Sequence, residues 1–213
     1  MQTREELQKV STSILNPTCS SPSSWSFETR DGIRLEMVSE RGYKLVSSTK
    51  TFIKALLKDN MEKAFGNEWA MEEKVKHKDM VSPDARYILV RNMLQNQSDT
   101  DFIGFLHYRF TFEEDVAVLY IYELQIQSHF QGKGIGSFLI HLAEHIAKQN
   151  HMAAVLLTVQ KTNVPALKFY TSKHKYNISC TSPSRVDPTM DVSYEILCKI
   201  LSEEAKFVFD SPL

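Results

Sequence analysis

Ile33, Leu35 and Met37 alternate with Arg34 and Glu36, a period of two that predicts a strand. The period then lengthens: Phe52, Ile53, Leu56, Leu57, Met61 and Phe65 recur at helical spacing, and Gly66 is placed to end that helix. A second, highly charged helix is predicted over residues 69–78. Apolar runs follow at residues 87–90, 102–112 and 116–126, and in the second Phe110 and Phe112 alternate with Arg109 and Thr111. Glu113, Glu114 and Asp115 separate the last two runs as a hairpin turn. Ile135, Phe138, Leu139, Leu142 and Ile146 mark an amphipathic helix, and residues 153–159 a further strand. Asn163 followed by Pro165 reads as a helix start, because an Asn side chain caps free N–H groups and Pro is tolerated in the first turn. Residues 176–180 and 192–200 read as closing strands. The order is that of a mixed α/β domain over residues 31–213, with residues 1–30 as a polar, serine-rich arm and linker docked through Trp25 and Phe27.

Composition changes this picture little. The chain has 213 residues, 42% hydrophobic and 24% charged, with a net charge of −1, which suits one sizeable folded core and not a disordered chain. A pI near 6.7 argues against a nucleic-acid binder, which needs a basic field. Cys19, Cys180 and Cys198 are too few and too scattered for a disulfide framework or a cysteine zinc site. The N-terminus lacks the apolar core of a signal peptide, and no apolar run reaches the length of a membrane span. A reducing compartment, nucleus or cytoplasm, is expected.

The chemistry concentrates in a glycine cluster. Three of the seven glycines, Gly132, Gly134 and Gly136, fall within the segment Gln131-Gly132-Lys133-Gly134-Ile135-Gly136, between a predicted strand and a predicted helix. A glycine-rich turn there lets backbone N–H groups approach a phosphate, the helix N-terminus adds its dipole, and Lys133 adds a cation. The Walker spacing G-x-x-x-x-G-K-[ST] is absent. The dinucleotide fingerprint also fails, since Ser137 follows Gly136 and the next strand ends in Gln160-Lys161, not in an acid.

What remains is Q/R-x-x-G-x-G/A, matched by Gln131, Gly134 and Gly136. In this strand–loop–helix setting it resembles motif A of the GCN5-related N-acetyltransferase (GNAT) superfamily. The resemblance implies a single mixed, mostly antiparallel sheet flanked by helices, with a central strand pair that splays apart. It implies acetyl-CoA as acetyl donor and no metal. The cofactor would be held by Gln131, Gly132, Lys133, Gly134, Ile135, Gly136 and Ser137 at the pyrophosphate. Backbone groups of Leu124, Gln125 and Ile126, with Thr158 and Asn163, would hold the pantetheine arm. Five segments narrow the resemblance further: Asn67-Glu68-Trp69, residues 105–110, residues 119–125, Leu157-Thr158-Val159 and residues 193–197. They are similar to the NatD group of N-alpha-acetyltransferases, which act on histone tails beginning Ser-Gly-Arg-Gly (histones H-four and H-two-A). That likeness implies a monomer whose partners are histone tails, with no nucleic acid or membrane.

Acetyl transfer needs a neutral amine, and an α-amino group has a pKa of about 8, so one modest base suffices. Strand alternation puts Tyr120 and Tyr122 on one face and Glu123 on the other. A bulge here, as in the family, would turn Glu123 toward the cleft as general base, and the backbone N–H beyond it would polarise the thioester carbonyl. Tyr120 and Tyr122 would line the peptide's entry. Phe65, Trp69, Thr111, Glu113 and Tyr194 would select the substrate, with Glu113 meeting an arginine. Tyr170 stands where many superfamily members place an acid, and packing is an equal reading of it. Three further readings remain: a superfamily member acting on lysine side chains or small amines, a non-catalytic acetyl-CoA-binding module, and a zinc site at His141-Leu142-Ala143-Glu144-His145, which spells H-x-x-E-H. His141, Glu144 and His145 lie opposite the apolar stripe of their helix, which disfavours a metal cleft there.

Overall fold

The computed structural model describes residues 24–93 and 102–210. The strands are β1 (Ser24–Glu28), β2 (Arg34–Arg41), β3 (Arg86–Asn92), β4 (Phe102–Glu113), β5 (Val116–Ile126), β6 (Ala154–Gln160), β7 (Asn177–Ile178) and β8 (Tyr194–Ile200). The helices are α1 (Ser47–Phe65), α2 (Trp69–Met80), α3 (Ile135–Gln149), α4 (Val164–Lys168), α5 (Pro183–Val186) and α6 (Glu203–Phe209). The eight strands lie in the order β1-β2-β3-β4-β5-β6-β8-β7. β1 to β4 pair antiparallel, as do β6 with β8 and β8 with β7, whereas β5 and β6 pair parallel. This is the mixed, mostly antiparallel sheet that the resemblance implies.

The parallel ladder is short. It runs from Val118↔Ala154 to Ile121↔Leu157 and stops, although β5 continues to Ile126 and β6 to Gln160. The splayed pair is therefore present in the register.

The chain divides into two compact units, with β4 and β5 running from one into the other. The unit of residues 24–109 and 123–139 builds its core from Ile53, Leu56 and Leu57 of α1, Trp69 and Met80 of α2, Tyr87 and Leu89 of β3, and Phe102 and Phe105 of β4. These are the residues whose spacing predicts helices and strands. Gly66 ends α1 at φ +54, a left-handed conformation that glycine adopts without steric cost. In the unit of residues 110–122 and 140–210, Val116 and Val118 pack with Ala154, Leu156, Cys198, Ala205 and Phe209. Its hairpin closes over two residues, Glu114 and Asp115, both at positive φ, as a right-twisted two-residue hairpin demands.

Three elements depart from the sequence reading. Residues 24–28, expected as linker, form β1 against β2, and the rest of the expected arm, residues 1–23, lies outside the described residues. The expected strand over residues 176–180 shrinks to Asn177–Ile178. α6 was not foreseen; Ser202 caps it by accepting from Ala205 N at 3.4 Å, and Phe209 is fully buried.

One glycine sets a close backbone approach. A Cβ on Gly104 would lie 2.6 Å from the Gln125 carbonyl oxygen and 3.2 Å from Ile126 Cα, so β4 and the end of β5 fit only without a side chain there. Gly104→Ala is expected to destabilise the fold by about 3 kcal/mol. Gly132→Ala, where an added Cβ meets nothing but φ is +75, should cost about 1 kcal/mol. Urea unfolding of the two variants checks this, and a smaller loss for Gly104→Ala would show that the strands have room.

Candidate functional site

The glycine loop belongs to the unit of residues 24–109 and 123–139. β5 ends at Ile126, a single 3-10 turn spans Ser128–Phe130, and α3 begins at Ile135. Gly132 at φ +75 and Gly134 at φ +90 make the turn between them. The loop is shaped from within: Gln131 Nε2 donates to the Ile126 carbonyl at 2.9 Å, and Phe130 is buried beneath it. Gln131 and Gly132 remain exposed. The first N–H groups of a helix have no carbonyl partner within it and carry the positive end of its dipole. A preformed, exposed turn leading into such N–H groups suits a phosphate.

Lys133 is engaged. Its ammonium pairs with Asp31 in the turn between β1 and β2, where Thr29 Oγ1 also donates to Asp31 at 2.6 Å. The same hairpin places the Phe27 ring 4.8 Å from that of Phe138, and Phe27 Cζ 3.6 Å from where a Gly134 Cβ would stand. β1 thus buttresses the glycine loop.

Glu123 sits on β5 just ahead of the loop, with only 11% of its side chain exposed. Lys76 of α2 lies 2.5 Å from its Oε1, and Gln125 Nε2 donates to its Oε2 at 2.9 Å. Gln125 in turn accepts from Asn60 of α1 at 2.9 Å, and the same Asn60 nitrogen reaches the Ile126 carbonyl at 3.2 Å. Because Glu123 and Gln125 bond each other, they share a face of β5. α1 and α2 bring Asn60 and Lys76 to that face.

Trp69 is corrected, and Phe65 and Ile126 are placed. Trp69 is a core residue at 5% exposure, packed with Leu56 and Tyr87, and does not present a surface to substrate. Phe65 is half-buried, 6.2 Å from the Trp69 ring, with the Lys76 ammonium 5.4 Å over its own ring. The Ile126 carbonyl, expected to face the cofactor, is taken by Asn60 and Gln131. Leu124 is half-buried and Gln125 buried.

In the unit of residues 110–122 and 140–210, Tyr120 and Tyr122 lie on one face, their rings 5.4 Å apart, with Tyr122 exposed. The Tyr120 hydroxyl shares a 2.6 Å hydrogen bond with Thr158. Burial raises the Tyr120 phenol to about 12; the Thr158 bond opposes this, and Glu113, Tyr122 and Tyr194 add to it. These expected substrate residues therefore form one neighbourhood. Thr111, also half-buried, lies two residues from Glu113 on the same strand. Burial, and then Glu114, push the Glu113 carboxyl up. Asn163 Oδ1 accepts from Ala166 N at 3.2 Å, which is the helix-cap role. Tyr170 is buried, its ring 5.0 Å from that of Phe169 and 5.9 Å from that of Tyr176. His141 and His145 are exposed on α3, and among the described residues no group of three His, Cys, Asp or Glu could hold a metal ion.

Asn60, Lys76 and Asp31 are absent from the sequence reading. Lys76 left a trace: it lies seven residues after Trp69 and four before Met80, on the core-facing stripe of α2, where a lysine requires a partner.

A model of the Acetyltransferase (GNAT) family matches residues 53–176, more than half of the chain. The chain belongs to this family. Over 67 residues it is 39% identical to N-alpha-acetyltransferase 60 of Xenopus tropicalis, which covers 30% of this chain and 28% of that protein. Over 54 residues it is 33% identical to streptothricin acetyltransferase A of Bacillus subtilis (strain 168), 25% of this chain and 31% of that one. Each match spans under a third of the relative's length. Arabidopsis thaliana Naa50, solved with the bisubstrate analogue CoA-Ac-MVNAL, shares the fold, with a TM-score of 0.51 at 16% identity over 78% of this chain and 99% of that one.

GNAT enzymes use acetyl-CoA, and the loop fits it. Left-handed glycines and the start of α3 supply the donors that a pyrophosphate needs.

The Lys133 ammonium, with help from Thr29, holds the Asp31 carboxyl down to about 2. A carboxyl depressed on folding favours the native state at pH above its ordinary value, and that preference is lost as pH falls through the folded value. The Asp31–Lys133 pair is therefore expected to persist to about pH 2. Lys133→Ala should move the Asp31 titration upward, as followed by carbon-13 NMR of the carboxyl; an unmoved titration would show that the two do not pair in solution.

Proposed function

We propose that this chain is an N-alpha-acetyltransferase that moves acetyl from acetyl-CoA to the N-terminal amine of histone tails beginning Ser-Gly-Arg-Gly, as the NatD group does. The observation that carries this reading is Glu123: a nearly buried carboxylate, held by donors at both oxygens, directly before the phosphate-binding loop. The likeness to N-alpha-acetyltransferase 60 and the NatD-like stretch Tyr120-Ile121-Tyr122-Glu123 support the choice of an α-amine.

The glycine loop binds and orients the donor; the amine nitrogen bonds to the thioester carbonyl carbon, the C–S bond breaks, and coenzyme A leaves as a thiolate that takes a proton from solvent. Glu123 accepts the proton of the incoming amine, directly or through one water, and needs little driving force because an α-amine has a pKa of about 8. Tyr122, exposed on β5, and Tyr120 and Tyr194 near it contact the first residues of the tail. Glu113 is a carboxylate disfavoured by burial and by Glu114, so a guanidinium arriving there relieves both and selects an arginine. Phe65 and Thr111 complete the substrate contacts. The chain acts as a monomer, and its substrate places the activity in nucleus and cytoplasm.

A second reading, acetylation of a small amine, is favoured by the streptothricin acetyltransferase match. Three acceptors separate them: a Ser-Gly-Arg-Gly peptide, the same peptide N-terminally blocked with a lysine added, and streptothricin. The first alone is expected to be acetylated. Turnover of the blocked peptide or of streptothricin in its place would sink the N-terminal reading. Glu123→Gln is expected to lower kcat on the free peptide about a hundredfold or more while leaving acetyl-CoA affinity unchanged. Wild-type turnover in that variant would remove Glu123 from the chemistry.

A further inference from the structure

The ion pair between Lys76 and Glu123 has no part in the reading above beyond occupying one carboxylate oxygen. Both partners are almost withdrawn from water, with 17% and 11% of their side chains exposed. Exposed pairs of this kind contribute little, but breaking a nearly buried one leaves an uncompensated charge. The surroundings of Glu123 are asymmetric. From α2 it meets Lys76, with Asp79 farther along paired to Arg109 at 2.9 Å. From β3 it meets Tyr87, whose hydroxyl donates to the Met80 carbonyl at 3.2 Å and whose ionisation is opposed by burial and by the Glu123 charge. On β4, burial first, then Arg109 and Lys76, lower the His107 imidazole to about 3, so it is neutral there. From α1 and β5 come the uncharged amides of Asn60 and Gln125. Lys76 and Gln125 thus hold the two oxygens of Glu123, and Asn60 holds Gln125.

We infer that Lys76 is a positioning residue for acetyl transfer: its ammonium at one carboxylate oxygen, and the Gln125–Asn60 relay at the other, hold Glu123 in one orientation. The inference rests on Glu123 being the base. Lys76 acts through Glu123 and contacts no reacting atom.

The test compares wild type with Lys76→Met, Lys76→Arg and Glu123→Gln, using acetyl-CoA and the free Ser-Gly-Arg-Gly peptide. In Lys76→Met kcat is expected to fall about tenfold or more, because the base is no longer held in place. KM for acetyl-CoA should stay within about twofold, because the pyrophosphate cradle is untouched. Lys76→Arg keeps a donor at the carboxylate and should restore most of the rate. A residue that merely supports the fold would raise KM for acetyl-CoA as kcat falls, with no rescue by arginine, and that outcome overturns the inference. If Lys76→Met loses its circular dichroism, Lys76→Gln is read the same way; loss of fold in both marks the residue as structural and also overturns it. Wild-type turnover in Glu123→Gln removes the base and this inference together. A dead Glu123→Gln beside a fully active Lys76→Met removes only the role of Lys76.

Discussion

A parallel strand pair cannot be closed by a hairpin, so the chain must cross over between β5 and β6, and that constraint organises the chemistry. The crossover is the 3-10 turn, the glycine loop and α3. Its first helical turn necessarily stands at the carboxyl end of β5, where free N–H groups and the dipole favour an anion. The ladder holds for only four residue pairs, and Glu123 lies on β5 beyond the last of them, Ile121↔Leu157.

How much of this was legible depends on which physical period was at work. α1, β4, β5 and α3 were readable because Ile53, Leu56 and Leu57, or Leu119 and Ile121, repeat with the period of the element that buries them. β1 was not, because Trp25 and Phe27 are only half-buried and five residues of weak alternation after a serine-rich stretch look like linker. The glycine loop was readable as chemistry because left-handed turns demand glycine, and two of its glycines hold that conformation. The partners of the functional residues were not. Lys76, Asn60 and Asp31 are brought to Glu123, Gln125 and Lys133 by the tertiary path of the chain, 47, 65 and 102 residues distant in sequence. Spacing rules carry no information across such separations. Trp69 failed for a related reason: an aromatic at the start of a helix looks the same whether it faces a ligand or the core.

Near-neutral net charge conceals how the buried carboxylates are treated. In one unit Glu123 is met by Lys76 and Gln125. In the other, Glu195, at 8% exposure, accepts 2.6 Å hydrogen bonds from Ser182 and Ser184, lies 3.5 Å from Lys161, and is held low by these partners against the cost of burial. The second is closed by hydroxyls of its own neighbourhood and ties the α5 turn to β8. The first ends in an ammonium from a separate helix, α2.

The buttress of β1 on the glycine loop has a mechanical consequence. Asp31 and Phe27 make β1 and its turn a lever resting on Lys133, Gly134 and Phe138. β1 is the edge strand of the sheet, so a displacement of β1 reaches the glycine loop through Asp31 and Phe27.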